Sequence, residues 1–337
     1  MSNSYWIKRQ RRKMDHIHAL TDKHLLRIFK AQEMSNRYLT DKINKLYEKV
    51  ASDGLITMEE ARKLLSTVES EAFLEELRQR YDLLEEGPEK RKILNILNVP
   101  AYRYRISRLE ALREAVNVET QLLTQMERKT AVKGFKEAYT TSFKMKEFDL
   151  AKTTGFKPDC GVRKEDIERG LKHKWQGTDF VERIGINNEK VAENLTNLID
   201  TGLEAGMTKK EMISILEEST GLSHVNTARI VRTETTFAVN EAEHDIRLQL
   251  GVEKYRYIAT LDEKTSKVCQ KLNARVFEVK DKEVGKNFPP MHPNCRSVTV
   301  DVFENGSEGL RRARDRNGNN ILVPKNITYE EYAEKYL

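Results

Sequence analysis

The sequence predicts a mainly α-helical protein with a small antiparallel β element in its C-terminal domain, an α+β arrangement whose N-terminal half supplies long helices. Two observations carry this. Hydrophobic residues make up 38% and charged residues 33% of the chain, against about 45–50% and about 25% in ordinary globular domains, a balance that long solvated helices with little core per residue produce. Apolar residues recur at helical spacing up to Gly251, and beyond it the period switches to the two-residue alternation of strands. The 337 residues, at about 150 per domain, fit two domains. The segments read as a basic arm (1–30), a helical region (31–130), a connector (131–170), a second domain (171–303) and a polar tail (304–337).

Taken in order, residues 15–50 carry a helical stripe of Ile17, Leu20, Leu25, Ile28, Phe29, Met34, Leu39, Ile43 and Leu46. Asp53-Gly54 is a turn signal. Thr57 with Glu60 forms a capping box, in which hydroxyl and carboxylate satisfy free helix N–H groups reciprocally, and a helix towards Ser66 follows from it. Residues 69–89 form an acidic, solvated helical block closed by Gly87-Pro88. From Ala101 the seam Ile106, Leu109, Leu112, Val116, Leu123 and Met126 predicts a long amphipathic helix packing within the chain. The pattern fades over 131–170, where Gly134, Gly155, Pro158, Gly161 and Gly170 gather.

The second half is better punctuated. Helices are expected over 188–204 and 209–218, the latter opened by a Thr208/Glu211 capping box with Met207 stapled on Met212. Gly221 is read as a break, Ser223 as the next N-cap, and a helix from His224 should stop at Gly251. Strands follow at 255–261, 275–279 and 297–302, and the tail from Asn305 reads as a polar, mobile extension.

The net charge of +6 is unevenly placed. The first thirty residues hold eight cations and two acids, and the remainder carries 51 of each sign. Lys8, Arg9, Arg11, Arg12 and Lys13 form a cluster that would neutralise phosphates of double-stranded DNA without reading sequence. Tyr5 and Trp6 beside it could stack on bases, and the alternative is a solvated arm. No run reaches the ~18 apolar residues of a membrane span. The N-terminus lacks the apolar segment of a secretory leader. Three cysteines are too few and odd for a disulfide framework, which suggests a reducing compartment.

Cys269, His292 and Cys295 are candidate ligands of a structural zinc, with Asp262 as a fourth. The His292-x-x-Cys295 spacing lets both side chains reach one ion from a turn stiffened by Pro289, Pro290 and Pro293. Plain packing of the thiols and a Cys269–Cys295 disulfide are the alternatives. On the helix after Ser223, Arg229, Arg232, Asn240 and Glu243 approach one face, Glu234 points elsewhere, and His244 follows. Such a face could do acid–base work, giving a metal-dependent nuclease or hydrolase centred on the Cys/His cluster as the alternative function. No nucleophile motif, HExxH, Walker or GxGxxG pattern exists in the chain, so ion pairs binding this helix to the sheet are the better account.

In order, KWQGTDFVERI (174–184), Gly206-Met207-Thr208, TARIVRTET (227–235), LDEKTSKVCQKLNARVF (261–277) and PPMHPNCRS (289–297) resemble the phage head morphogenesis domain of Mu F-like minor head proteins. Its Arg-Thr-Glu helix falls on Arg232, Thr233 and Glu234, and its closing His-Pro-x-Cys-Arg on His292 to Arg296. Where many members carry further cysteines, this chain has Ser266 and Ser297. The resemblance implies a non-catalytic minor capsid protein of a tailed phage. It would be associated with the portal and the inner face of the head, act in head assembly, and contact DNA during packaging or ejection. It implies residence in the virion after assembly in the host cytoplasm.

Overall fold

The computed structural model describes residues 3–52, 71–88, 90–91, 107–154, 160–175, 177–204, 207–302, 310–317, 319–324 and 329–336. The expected Asp53-Gly54 turn, the Thr57/Glu60 capping box and the start of a helix at Ala101 lie outside the described residues. The elements are α1 (Asn3–Ser52), α2 (Glu71–Asp82), α3 (Arg108–Thr154), α4 (Lys164–Leu171), α5 (Phe180–Glu204), α6 (Lys209–Leu250), β1 (Lys254–Ile258), α7 (Lys267–Leu272), β2 (Val276–Glu278), β3 (Val298–Val302), β4 (Leu310–Arg314), β5 (Asn320–Pro324) and α8 (Tyr329–Tyr336). The mainly α architecture with a small antiparallel sheet is as the sequence predicts. No helix among the described residues is long and apolar enough to cross a membrane.

Two compact units divide the chain: residues 1–25, 131–180 and 229–337 form one, and 26–130 with 181–228 the other. The second unit is a helical assembly. Leu39 and Ile43 of α1, Leu112 and Val116 of α3, Leu195 and Ile199 of α5, and Met212 and Leu216 of α6 interlock in one core. Leu77, Tyr81 and Leu84 bury against Ala115 and Val118 of α3 in another. The small residues Ala111 and Ala115, both fully buried, allow neighbouring helices to approach closely. Buried polar groups are answered too: Glu127 accepts from Gln32 Nε2 at 2.5 Å and from Asn188 Nδ2 at 2.9 Å.

Three sequence expectations are corrected here. The expected connector at 131–170 is largely helical: α3 continues through to Thr154, and α4 follows at Lys164. Aromatic side chains Phe135, Tyr139 and Phe143 are buried there, and their packing overrides the weak period. Gly221 does not break the chain, because α6 runs unbroken from Lys209 to Leu250. A helical glycine costs only about 1 kcal/mol, and the buried stripe Leu216, Ser223, Thr227 holds the helix on either side of it. The tail is not without structure: β4 pairs with β5 in register Leu310↔Pro324 to Arg314↔Asn320, and α8 follows.

The Thr208/Glu211 box and the Gly251 stop form where expected, whereas Ser223, expected as an N-cap, lies inside α6. Thr208 N–H donates to Glu211 Oε2 at 2.7 Å, Glu211 N–H donates back to Thr208 Oγ1 at 3.3 Å, and Met207 packs into the core that holds Met212. A further capping box starts α3, with Ser107 and Glu110 as the reciprocal pair. Helix α6 ends at Gly251, whose φ of +66° suits a residue without Cβ, and Val252 N–H closes on Arg247 O at 2.9 Å.

The first unit contains the sheet, ordered β2-β1-β3 and antiparallel throughout. Tyr255 and Tyr257 of β1 and Val298 and Val300 of β3 are buried. Phe288 stands edge-on to Tyr255 at 5.5 Å and near His244 at 5.7 Å. This unit also buries charge. Arg247 of α6 is fully buried, and its Nε reaches Asp301 Oδ1 at 2.7 Å while Nη1 reaches Thr299 Oγ1 at 2.9 Å. Lys146 of α3 donates to the other Asp301 oxygen at 2.6 Å. Lys13 and Gln10 of α1 both donate to Glu243.

Candidate functional site

The clearest constellation is built by three short segments. Thr265 and Asp262 close a turn through Thr265 N–H to Asp262 O at 3.1 Å. Ser266 then caps α7 by accepting from Cys269 N–H at 3.3 Å, which fixes Cys269 in the first turn of that helix. The third segment is the turn 291–295, where Asn294 sits at φ +59°, a left-handed conformation that Asn tolerates. Helix α6 seats this turn directly. Thr233 Oγ1 accepts from Asn294 N–H at 2.8 Å, and Thr236 Oγ1 donates to Cys295 O at 2.7 Å. Thr233 and Thr236 are three apart, so they share a helix face.

Cys269 Sγ lies 3.2 Å from His292 Nε2 and 3.9 Å from Cys295 Sγ, and the three ligand atoms all fall within 4.8 Å of one another. Both thiols are buried and His292 is half-buried. His292 Nδ1 lies 2.8 Å from Pro293 O, a partner that can only accept. Nδ1 therefore carries the proton and Nε2 presents its lone pair to the thiols. Tyr257 O–H donates to Cys269 Sγ at 3.2 Å. The hydrogen bond from Cys295 lowers the Cys269 thiol, while that same bond and burial push Cys295 up.

Asp262 does not join the cluster, contrary to the expected fourth ligand. Both of its oxygens are held by Arg296, at 2.6 and 2.7 Å, and that guanidinium keeps its carboxyl down at about 2. Of the helix residues singled out from sequence, Glu243 and Asn240 are buried, and Asn240 Nδ2 donates to Ser297 O at 3.3 Å. Glu234 is buried too. Arg229 is exposed, and Arg232 is exposed and 3.4 Å from Asp22, so the ion pairs that tie α6 to the sheet run through Arg247. Neither Arg247 nor Thr236 stands out in the sequence, whereas Thr233 belongs to the Arg-Thr-Glu motif. His244 is unsuited to proton transfer: burial, then the charges of Lys282, Arg247 and Arg169, pull its imidazole down to about 2.

The basic cluster lies on α1, in a helix and not a loose arm. Lys8 and Arg12 are exposed. Arg9 pairs with Asp149, and Arg11 Nη2 donates to Ala259 O at 3.0 Å. Lys13 is turned inward, 1% exposed and paired with Glu243, which removes it from the set that can meet a phosphate. Tyr5 and Trp6 stand edge-to-face at 5.2 Å. A cleft of about 330 Å³ lies among Tyr5, Lys8, Arg9, Arg12, Lys13, Met145 and Asp149.

Residues 190–300 match the family described as Phage Mu protein F like protein, which bears out the resemblance read from the sequence. Over 150 residues the chain is also 27% identical to a protein named NAD(+)--arginine ADP-ribosyltransferase EFV from Enterococcus faecalis (strain ATCC 700802 / V583), with 40% of this chain and 31% of that protein covered. The chain therefore spans less than a third of that relative's length. No solved structure matches it.

Proposed function

We propose that the chain is a non-catalytic minor head protein of a tailed bacteriophage. In this reading it resides in the virion, inside the head near the portal, after assembly in the host cytoplasm. It binds portal and other head proteins, and contacts double-stranded DNA during packaging or ejection without reading sequence. The family match over 190–300 carries this reading. Lys8 and Arg12, exposed one turn apart on α1, support the DNA contact, since two exposed cations beside one cleft suit a phosphate track. Of the residues on which the hydrolase alternative centres, Asp262 is committed to Arg296. The activity named for the enterococcal relative belongs to that whole protein.

Co-expression with portal protein, followed by sedimentation of the assembled particles, tests the proposal. The chain should travel with portal and appear in purified heads. A chain left at the top of the gradient and absent from heads would overturn it.

A further inference from the structure

We propose that Cys269, Cys295 and His292 bind a zinc-type divalent ion as a three-ligand site, with water in the fourth position and Asp262 excluded. The geometry resembles that of a site built for such an ion. A tetrahedral ion with S at ~2.3 Å and N at ~2.0–2.1 Å sets its S···S edge at about 3.8 Å and its S···N edge at about 3.6 Å. The observed separations are 3.9 and 3.2 Å. Two sulfurs held apart at 3.9 Å are not joined by a disulfide bond of ~2.0 Å, and both cysteines are free.

The donor chemistry agrees. Two thiols and an imidazole are a borderline-soft set that selects zinc over magnesium or calcium. The imidazole is in the tautomer that leaves Nε2 able to coordinate, fixed by Pro293 O as metal-bound histidines are commonly fixed. Tyr257 O–H, donating to Cys269 Sγ, would drain charge from a coordinated thiolate. Among the described residues no fourth Cys, His, Asp or Glu joins the three. Water reaching the site past half-buried His292 completes the tetrahedron. The ion would tie α7 to the 291–295 turn, which α6 already grips through Thr233 and Thr236.

The test uses the full chain purified under reducing conditions and does not depend on portal or DNA, so its failure leaves the head-protein reading standing. One equivalent of zinc should copurify. Replacement by cobalt should give a thiolate-to-cobalt charge-transfer band and the visible bands of a four-coordinate ion. Zinc should shield two of the three thiols from a thiol reagent, with Cys160 reacting throughout. His292→Gln, at a half-exposed position that should still fold, is expected to weaken zinc about 100-fold or more. Asp262→Asn should leave affinity unchanged. Substoichiometric zinc with three reactive thiols, a cobalt complex lacking the thiolate band, or loss of binding in Asp262→Asn would overturn the proposal.

Discussion

Glu127 offers the sharpest test of the helical unit. Its side chain is fully buried, and burial lifts the carboxyl from its ordinary 4.5 to about 7 against the opposing hydrogen bonds from Asn188 and Gln32. A carboxyl whose folded value is raised lends stability that is complete below the unfolded value and is lost as pH rises through the folded one. The affected window therefore runs from about 4.5 to about 7. At ~1.4 kcal/mol per pH unit, the loss reaches ~3 kcal/mol as an upper bound. Glu127→Gln removes the titration. The new amide can be accommodated if Gln32 turns over. Its Oε1 is now without a partner and would accept from the substituted amide, while Ser223 and Thr227, each 3.3 Å from Gln32 Nε2, could donate to the reversed group. Urea unfolding at pH 5 and pH 8, followed by circular dichroism, provides the assay. The variant should match the parent within about 1 kcal/mol at pH 5 and exceed it by up to ~3 kcal/mol at pH 8. A variant weaker than the parent at pH 8, with the parent's pH dependence retained, would refute the reasoning.

Other outcomes follow from the same arguments. Arg247→Met leaves buried Asp301 with Lys146 alone and Glu243 with Lys13 and Gln10, and should cost up to about 3–5 kcal/mol in denaturant unfolding. Burial alone would raise the Asp301 carboxyl, but Lys146 and Arg247 hold it well below its usual range, so acid should strip stability from the parent as pH falls through that low value, and Asp301→Asn should flatten that limb. Lys8→Gln with Arg12→Gln should lower the slope of log affinity for DNA against log salt by about 1.8, as two lost phosphate contacts would. Lys13→Gln should instead weaken folding, seen as a lower melting temperature. Thr236→Val removes the donor to the Cys295 carbonyl and should cost about 1–2 kcal/mol, with faster amide exchange in the 291–295 turn as the local readout.

What the sequence revealed and what it hid divide along physical lines. Local rules were legible: the Thr208/Glu211 box, Gly251 as a stop and the alternation at Tyr255 and Tyr257 each depend on a few neighbours, and each stands in the structure. The Cys269, His292, Cys295 grouping was legible because ligand chemistry restricts residue type. Pairings over long sequence separation were not. Arg247 looks like any cation in the last turn of a helix until β3 brings Asp301 to it, and Lys13 reads as a member of a basic cluster until α6 supplies Glu243. Asp262 illustrates the converse: its residue type suits a metal, and Arg296 claims it. The family motif is sharpened in the same way. Its Arg232 is exposed and its Glu234 buried, while the groups that hold the His-Pro-Asn-Cys turn are the intervening hydroxyl of Thr233 and that of Thr236. A run of hydroxyls inside a helix is a poor helix former, so its presence in α6 is accounted for by the turn it seats.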